Sequence, residues 1–386
     1  MSKSRARGRG RIIHMIDGLG HGGAERLMTP ILSGLAKVGY DVQVIALQNK
    51  DGNQEAERLK DHGVPVRSLP IDKLKRADQI AAALWALRAD KPGLIHAHLQ
   101  FSIILSGLAR CTLGIPSVVT LHTDQSGTGF DRETLRFGLS NAFMNRCCDR
   151  VICLTEASKR HAVAQGLDRA PLAVLPNGID LAPYGAAPLH VRAALRHRLG
   201  LAEDDTVLIS VAVLRPEKGL DRLIAALDRL VITHPRLKLV IVGDGAQKEA
   251  LLRQIARAGL ENRVLMTGYR TDIPDLLAIA DVFVLPTLAD ALPTVVIEAM
   301  ASRLPVIASN VGGLPEMIGD DEGQLVPPDN VPALADAIAG VLRDDPTRLA
   351  MGARALDRAQ IEFSIETQVA RLSALYDTLM KPGIKR

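Results

Sequence analysis

Short apolar runs alternate with segments of helical period along the whole chain. In the first half IIHMI (12–16), DVQVIAL (41–47), VPVRSL (64–69), GLIHAHL (93–99), SVVTLH (117–122), RVICLT (150–155) and LAVLP (172–176) have the length and apolar character of buried strands. Between them, ERLMTPILSGLAKVG (25–39) and DQIAAALWALRAD (78–90) repeat their apolar positions every three to four residues, as helices do. A Pro- and Gly-rich stretch, PNGIDLAPYGAAPLH (176–190), reads as a linker. The alternation then restarts with TVLISVAVL (206–214), LKLVIVGDG (237–245), RVLMTGY (263–269), DVFVLPT (281–287), LPVIAS (304–309) and GQLVPP (323–328). Two long helices, VPALADAIAGVLRD (331–344) and IETQVARLSALYDTLMK (365–381), are expected to close the chain.

Strand and helix in strict alternation predict α/β layers with parallel sheets. The expected fold is two tandem doubly wound Rossmann-like domains facing across a cleft, with ligands at the carboxyl ends of strands. The expected limits are a basic, disordered tail at 1–11, a first domain at 12–185, a second at 186–365, and a C-terminal helix at 366–386 that could pack back on the first domain.

Composition sharpens this picture in four places. Aromatic residues make up only 3% of the chain against 47% hydrophobic residues, so aliphatic side chains must fill the cores. Residues 1–185 carry 24 Lys and Arg against 17 Asp and Glu, whereas the remainder carries 23 against 26. The basic first half suits an anionic partner such as a membrane surface, with an incidental solvated surface as the alternative. The opening MSKSRARGRGR lacks the apolar core of a secretory signal and reads as a tail, with a lipid-binding arm as the lesser alternative. Cys111, Cys147, Cys148 and Cys153 show no metal-ligand spacing and are expected to be buried free thiols in a reducing cytoplasm. No nucleic-acid partner is expected.

The candidate chemistry begins at IDGLGHGGAERL (16–27), where Gly18, Gly20 and Gly23 satisfy G-x-G-x-x-G between a strand and a helix. A dinucleotide site would also place an acid at the end of the second strand, but that strand ends in Gln48 and Asn49. What survives is an anion-binding helix start, or a tight turn without a ligand. In VLRPEKGLDRLI, Arg215 and Lys218 follow a strand and suit a diphosphate, as fork donor and point charge. Farther on, Asp290 and Glu298 stand eight residues apart across a loop and a helix start. A carboxylate among the apolar residues of that helix start calls for a hydroxyl-bearing partner. In HAHL, His96 and His98 read as packed or hydrogen-bonded, with nothing nearby to complete a metal site. No D-x-D follows a strand.

From GLGHGGAERL through HAHL, VVTLH, LPNGID, LRPEKGLDRLI, VGDG, EAMASRLPVIAS and VGGLPEMI to LVPPDN, the order and spacing of motifs resemble the GT-B glycosyltransferases of the large retaining family 4. The resemblance implies that Gly22 and Gly23 line the donor phosphates and that Lys218, with Arg215 nearby, neutralises the diphosphate. It implies that Glu298 holds the ribose, as the second Glu of the family's E-x(7)-E motif, and that Asp290 in the first Glu position touches the sugar. Backbone N–H groups around Leu292 and Thr294 would meet sugar and phosphates, Tyr269 or Arg270 would lie near the base, and His122 would stand beside the transferred sugar. Two departures are an Asp at 290 and a Val at 213, where the family carries arginine.

The implied activity is metal-independent, retaining transfer from a UDP- or GDP-linked sugar to a saccharide or lipid-linked acceptor. Cell-surface polysaccharide or glycolipid synthesis is the expected setting, without a cofactor, in the cytoplasm or peripherally on the membrane face. RLKDHGVPVRSLPIDKLKRADQ would supply the membrane contact through Arg58, Lys60, Arg67, Lys73, Lys75 and Arg76 beside Leu69, Ile71 and Leu74. The alternatives are a two-domain NAD-dependent oxidoreductase and a non-catalytic sugar-nucleotide-binding homologue.

Overall fold

The computed structural model describes residues 9–19, 23–48, 54–69, 76–122, 132–185 and 188–380. The chain divides into two compact units, one formed by residues 1–178 with 365–386, the other by 179–364. The first unit therefore ends ahead of the expected limit at 185.

In the first unit β1 (Arg11–Ile16), α1 (Gly23–Lys37), β2 (Asp41–Ala46), α2 (Gln54–Asp61), β3 (Val66–Ser68), α3 (Ala77–Asp90) and β4 (Leu94–His98) alternate without a break. They are followed by α4 (Gln100–Leu113), β5 (Ser117–Leu121), α5 (Arg132–Cys147), β6 (Arg150–Cys153), α6 (Glu156–Ala164) and β7 (Leu172–Val174). The seven strands form one parallel sheet in the order β3-β2-β1-β4-β5-β6-β7. One face packs Ile13, Met15, Ile45 and Ile95 against Ala83 and Leu87 of α3 and Leu105 of α4.

The second unit runs through α7 (Leu189–Arg198), β8 (Thr206–Val211), α8 (Leu220–Leu230), β9 (Leu237–Val242), α9 (Lys248–Arg257), β10 (Val264–Gly268), α10 (Ile273–Ala278) and β11 (Val282–Leu285). It continues with α11 (Thr294–Ala301), β12 (Val306–Ser309), α12 (Leu314–Met317), β13 (Gly323–Val326), α13 (Val331–Leu342) and α14 (Asp345–Glu362). Its parallel sheet has the order β10-β9-β8-β11-β12-β13. Leu223, Ile224 and Leu227 of α8 join Leu239, Ile241 and Val284 of the strands in an aliphatic core. The last helix, α15 (Ile365–Met380), belongs to the first unit and packs on α1 and β4. Both sheets reverse strand order at one point, between β1 and β4 and between β8 and β11, and that is where doubly wound folds open a crevice for ligands.

Three expectations need correction. α14 stands between the two helices expected to close the chain; its buried face is Met351, Gly352, Ala355 and Ala359, too small to show as an aliphatic stripe. Cys111 and Cys147 form a disulfide between α4 and α5, so only Cys148 and Cys153 are free thiols. Arg11 belongs to β1 and not to a tail, pairing with Asp41 at 2.7 Å, while Arg9 reaches Asp377 at 3.6 Å and lies over the Tyr40 ring. Residues 1–8 of the expected tail lie outside the described residues.

Candidate active site

In the second unit the switch point joins two loops, one after β8 and one after β11. Pro216–Lys218 forms a single 3₁₀ turn, and Gly219 follows at φ +65°. A Cβ at Gly219 would lie 2.1 Å from the Pro286 carbonyl oxygen, so only glycine lets the two loops meet. They are laced together where Leu288 N–H donates to the Glu217 carbonyl at 2.7 Å and the buried Thr287 hydroxyl donates to the same oxygen at 3.0 Å. Beyond this lacing Lys218 Nζ donates to Asp290 Oδ2 at 2.5 Å. The loop after β12 supports the acid from its other side: Gly312, at φ +55°, brings its Cα so near Asp290 that a Cβ would stand 1.8 Å from the Asp290 carbonyl oxygen. Loops from three adjacent strands therefore converge on Asp290.

Downstream of the acid, Leu292 is buried and α11 begins at Thr294, where unpaired helix N–H groups favour an anion. Glu298 lies on the same helix among the buried residues Val296, Ile297, Ala299 and Met300. The Tyr184 phenol donates a hydrogen bond to the Glu298 carboxylate, and burial, followed by that negative charge, pushes the phenol pKa up. Tyr184 comes from the Pro/Gly-rich linker, where no periodic signal marks it.

Other residues named from the sequence have side-chain surroundings of their own. Arg215 is 64% exposed and stands 3.8 Å from Glu217, and Val213 is also exposed. Tyr269 is exposed just beyond the edge strand β10. Arg270 is engaged with Asp272 by both ends of its fork, at 2.8 and 2.5 Å.

In the first unit Asp17 directly follows β1, and its carboxylate caps α4. It accepts from Phe101 N–H at 3.0 Å, Ser102 N–H at 2.7 Å and the Ser102 hydroxyl at 2.5 Å, while burial pushes its pKa up. Gly20 and Gly22 lie outside the described residues; Gly23 is the first residue of α1.

His96 and His98 are packed and hydrogen-bonded as expected, but His14 joins them at metal-ligand range, which corrects the reading that nothing nearby could complete a metal site. Register pairs His14 with His96 across β1 and β4, and His98 with Thr120 across β4 and β5. Side chains two residues apart in a strand share a face, so His14, His96, His98, Thr120 and His122 gather on one side of the sheet. His98 Nδ1 stands 2.9 Å from His122 Nε2, and His98 Nε2 stands 3.0 Å from His14 Nδ1. His96 contacts the Tyr376 hydroxyl of α15 through Nδ1 and the Thr120 hydroxyl through Nε2. Burial lowers the pKa of His14 to about 3 and of His122 to about 4, and holds His96 and His98 well below the usual histidine range. His14, His96 and His98 bring ring nitrogens within 4.8 Å of one another, close enough for a metal ion in principle. An ion on His14 Nδ1 and His98 Nε2 would have to replace the hydrogen bond between them.

Of the basic segment, Ile71, Lys73, Leu74 and Lys75 lie outside the described residues. Arg67 pairs with Asp90, Arg76 with Asp78 at 2.7 Å, and Leu69 packs against the core of the first sheet. Arg58 and Lys60 remain exposed on α2. Among the described residues no helix is long and apolar enough to cross a membrane.

Residues 21–183 match the family model described as Glycosyltransferase Family 4, and residues 191–358 match that described as Glycosyl transferases group 1. The chain is 30% identical to a D-inositol 3-phosphate glycosyltransferase of Kineococcus radiotolerans, over 88% of this chain and 86% of that one. It is 27% identical to the UDP-Gal:alpha-D-GlcNAc-diphosphoundecaprenol alpha-1,3-galactosyltransferase of Escherichia coli, over 90% of this chain and 95% of that one. Among solved structures it resembles HepE of Anabaena in complex with UDP, with a TM-score of 0.84 and 25% identity over 95% of this chain and all of that one.

Proposed function

This chain belongs to the group 1, family 4 glycosyltransferases, and we propose that it moves a sugar from a nucleoside-diphosphate donor to a saccharide or lipid-linked acceptor, in the building of a cell-surface glycan. The observation that carries the reading is the Lys218–Asp290 pair at the switch point of the second sheet, beside the start of α11. UDP is the leading nucleotide, because HepE was solved with it and the Escherichia coli relative is named for UDP-Gal; GDP is the second choice. The oxidoreductase and non-catalytic readings gain no support from the family match.

In the proposed chemistry the bond from the sugar C1 to the donor phosphate breaks while C1 bonds to the acceptor oxygen. The acceptor proton passes to the leaving phosphate on the same face, so configuration is retained. Lys218 turns from Asp290 to the phosphate as its charge develops, and N–H groups at Leu292 and Thr294 add fixed dipoles. Asp290 then meets the sugar hydroxyls, Glu298 the ribose, and His122 polarises the sugar side. By the family resemblance Gly22 and Gly23 are assigned to the donor phosphates, with Arg215 as an auxiliary cation and Tyr269 or Arg270 near the base. A cationic cradle of this kind works without metal and without any further cofactor.

Release of UDP or GDP from a panel of nucleotide sugars tests the reading: turnover with one donor, dependent on an added lipid-linked or saccharide acceptor, is expected. Binding without turnover for every donor and acceptor would return the chain to the non-catalytic reading. Peripheral contact with an anionic leaflet remains part of the proposal through Arg58 and Lys60, with the basic segment that follows them. Trp85, the only tryptophan and 73% exposed on α3, gives a fluorescence reporter. Titration with anionic vesicles at low salt should change its emission, neutral vesicles should not, and salt should reverse the change. No response to anionic vesicles favours a soluble acceptor.

A further inference from the structure

We infer that His98, His14, Tyr376, His96 and Thr120 are positioning residues that hold His122 in a single tautomer, Nε2–H directed inward and the Nδ1 lone pair outward, through one continuous hydrogen-bonded chain. The inference rests on the reading of His122 as the residue beside the transferred sugar. The chain runs from Thr120 to His96 at 2.7 Å, to Tyr376 at 2.5 Å, to His14 at 3.4 Å, to His98 at 3.0 Å and to His122 at 2.9 Å. It uses both ring nitrogens of His14, His96 and His98. A neutral imidazole has one N–H and one lone pair, so a donor on one side fixes an acceptor on the other. Burial keeps these rings neutral. The links can therefore be satisfied in three ways, with the Tyr376 hydroxyl donating to His96, donating to His14 or accepting from both rings, and in two of the three His14 carries its proton on Nε2.

Tyr376 chooses among them. Its hydroxyl has one proton, and its two contacts are unequal: 2.5 Å to His96 Nδ1 and 3.4 Å to His14 Nε2. O–H donors make shorter bonds than N–H donors, so the short contact is the phenol donating to His96. The long one is then His14 Nε2–H donating to the phenol oxygen. His14 Nδ1 is left bare and accepts from His98 Nε2–H; His98 Nδ1 is left bare and accepts from His122 Nε2–H. His122 thus ends the chain with an acceptor at Nδ1. It can take a hydrogen bond from a sugar or acceptor hydroxyl and cannot donate one from that atom.

The backbone beside His98, the last ring before His122, is strained. Leu99, directly after His98, is at φ +72° and ψ 171°, a conformation that residues with a Cβ rarely adopt. Asp17 secures the turn that follows by capping Phe101 and Ser102.

The test uses the full chain labelled with ¹⁵N-histidine, with the His122 signals assigned by their loss in His122→Ala. The wild type should show His122 protonated at Nε2. Tyr376→Phe removes the hydroxyl and keeps the ring, so the His122 signals should shift toward a mixture of tautomers. kcat should fall by about tenfold with donor KM changed less than about twofold, since the loss is felt in the transition state. Thr120→Val, at the far end, should move the same signals in the same direction by less. Wild-type His122 protonated at Nδ1, or His122 signals unmoved by both variants, would overturn the inference. Full turnover in His122→Ala would instead remove the role of His122 in the reaction, a separate failure that leaves the ¹⁵N result to decide the chain.

Discussion

Lys218 Nζ and Asp290 Oδ2 stand 2.5 Å apart across the switch point of the second sheet, each on a loop that the other's loop holds in place. Both side chains are mostly buried, with 23% and 16% of their surface exposed, and in the proposed reaction the acid would release the cation to the donor phosphate. Losing Lys218 should therefore affect turnover far more than folding. We expect Lys218→Ala to raise the barrier by about 2–4 kcal/mol, as removal of one donor to developing charge does elsewhere. Steady-state kinetics beside a thermal melt check this, and activity within a few fold of wild type would contradict the assignment.

Tyr184 and Glu298 make a second prediction. The phenol occupies the carboxylate proposed to hold the ribose, so donor binding must exchange one hydroxyl partner for another. Glu298→Ala should raise donor KM by about tenfold or more with a smaller change in kcat. Tyr184→Phe should lower donor KM modestly, because the carboxylate no longer gives up a partner. Equal KM values in both variants and the wild type would argue against the ribose role.

A chelator should leave turnover intact, because the proposed cradle of Lys218, Arg215 and helix N–H groups needs no divalent ion. Assays in EDTA, with and without added Mg²⁺ or Mn²⁺, measure this. Activity abolished by EDTA and restored by either ion would require a different account of the leaving group.

Acid should destabilise the first unit through its histidines. His14 has a folded pKa of about 3 and His122 of about 4, whereas the unfolded chain takes up protons near 6.5. Between those limits the unfolded state binds more protons, so stability rises with pH and is lost as pH falls from about 6.5 toward the folded values. Each fully buried histidine contributes up to about 1.4 kcal/mol per pH unit in that window. Asp17, with its raised pKa, works in the opposite direction. Denaturant melts at pH 7.5 and 5.0 should show the loss, and replacing His14 with Gln should flatten it. Melts that coincide at the two pH values would show that the cluster does not enter folding neutral.

The sequence carried much of this fold because buried parallel strands must be aliphatic and short, and runs such as TVLISV and LKLVIV declare themselves. It concealed α14, whose inner face is alanine and glycine, and Tyr184, which lies in a stretch with no period. The disulfide joins cysteines 36 residues apart, a pairing that depends on how α4 meets α5. The histidine chain was half legible. H-x-H places two rings on one face of a strand, but bringing His14 beside them requires knowing that the first strand neighbours the fourth. Lys218 and Asp290 were named separately; their contact follows from the same reversal of strand order, between β8 and β11.

The late position of α15 has a consequence for how the protein is made. Residues 179–364 are one uninterrupted segment and hold every strand of the second sheet, whereas the first unit needs Ile365–Met380 to finish. A chain emerging from the ribosome presents its N-terminal sheet first yet completes it last. Until that final helix arrives, His96 has no Tyr376 and Tyr40 has no Asp377 to meet its hydroxyl. The second unit can close as a finished module while the first still waits. A stop codon only a few turns early would thus take Tyr376 from His96 and Asp377 from Tyr40 while sparing every residue of the second unit.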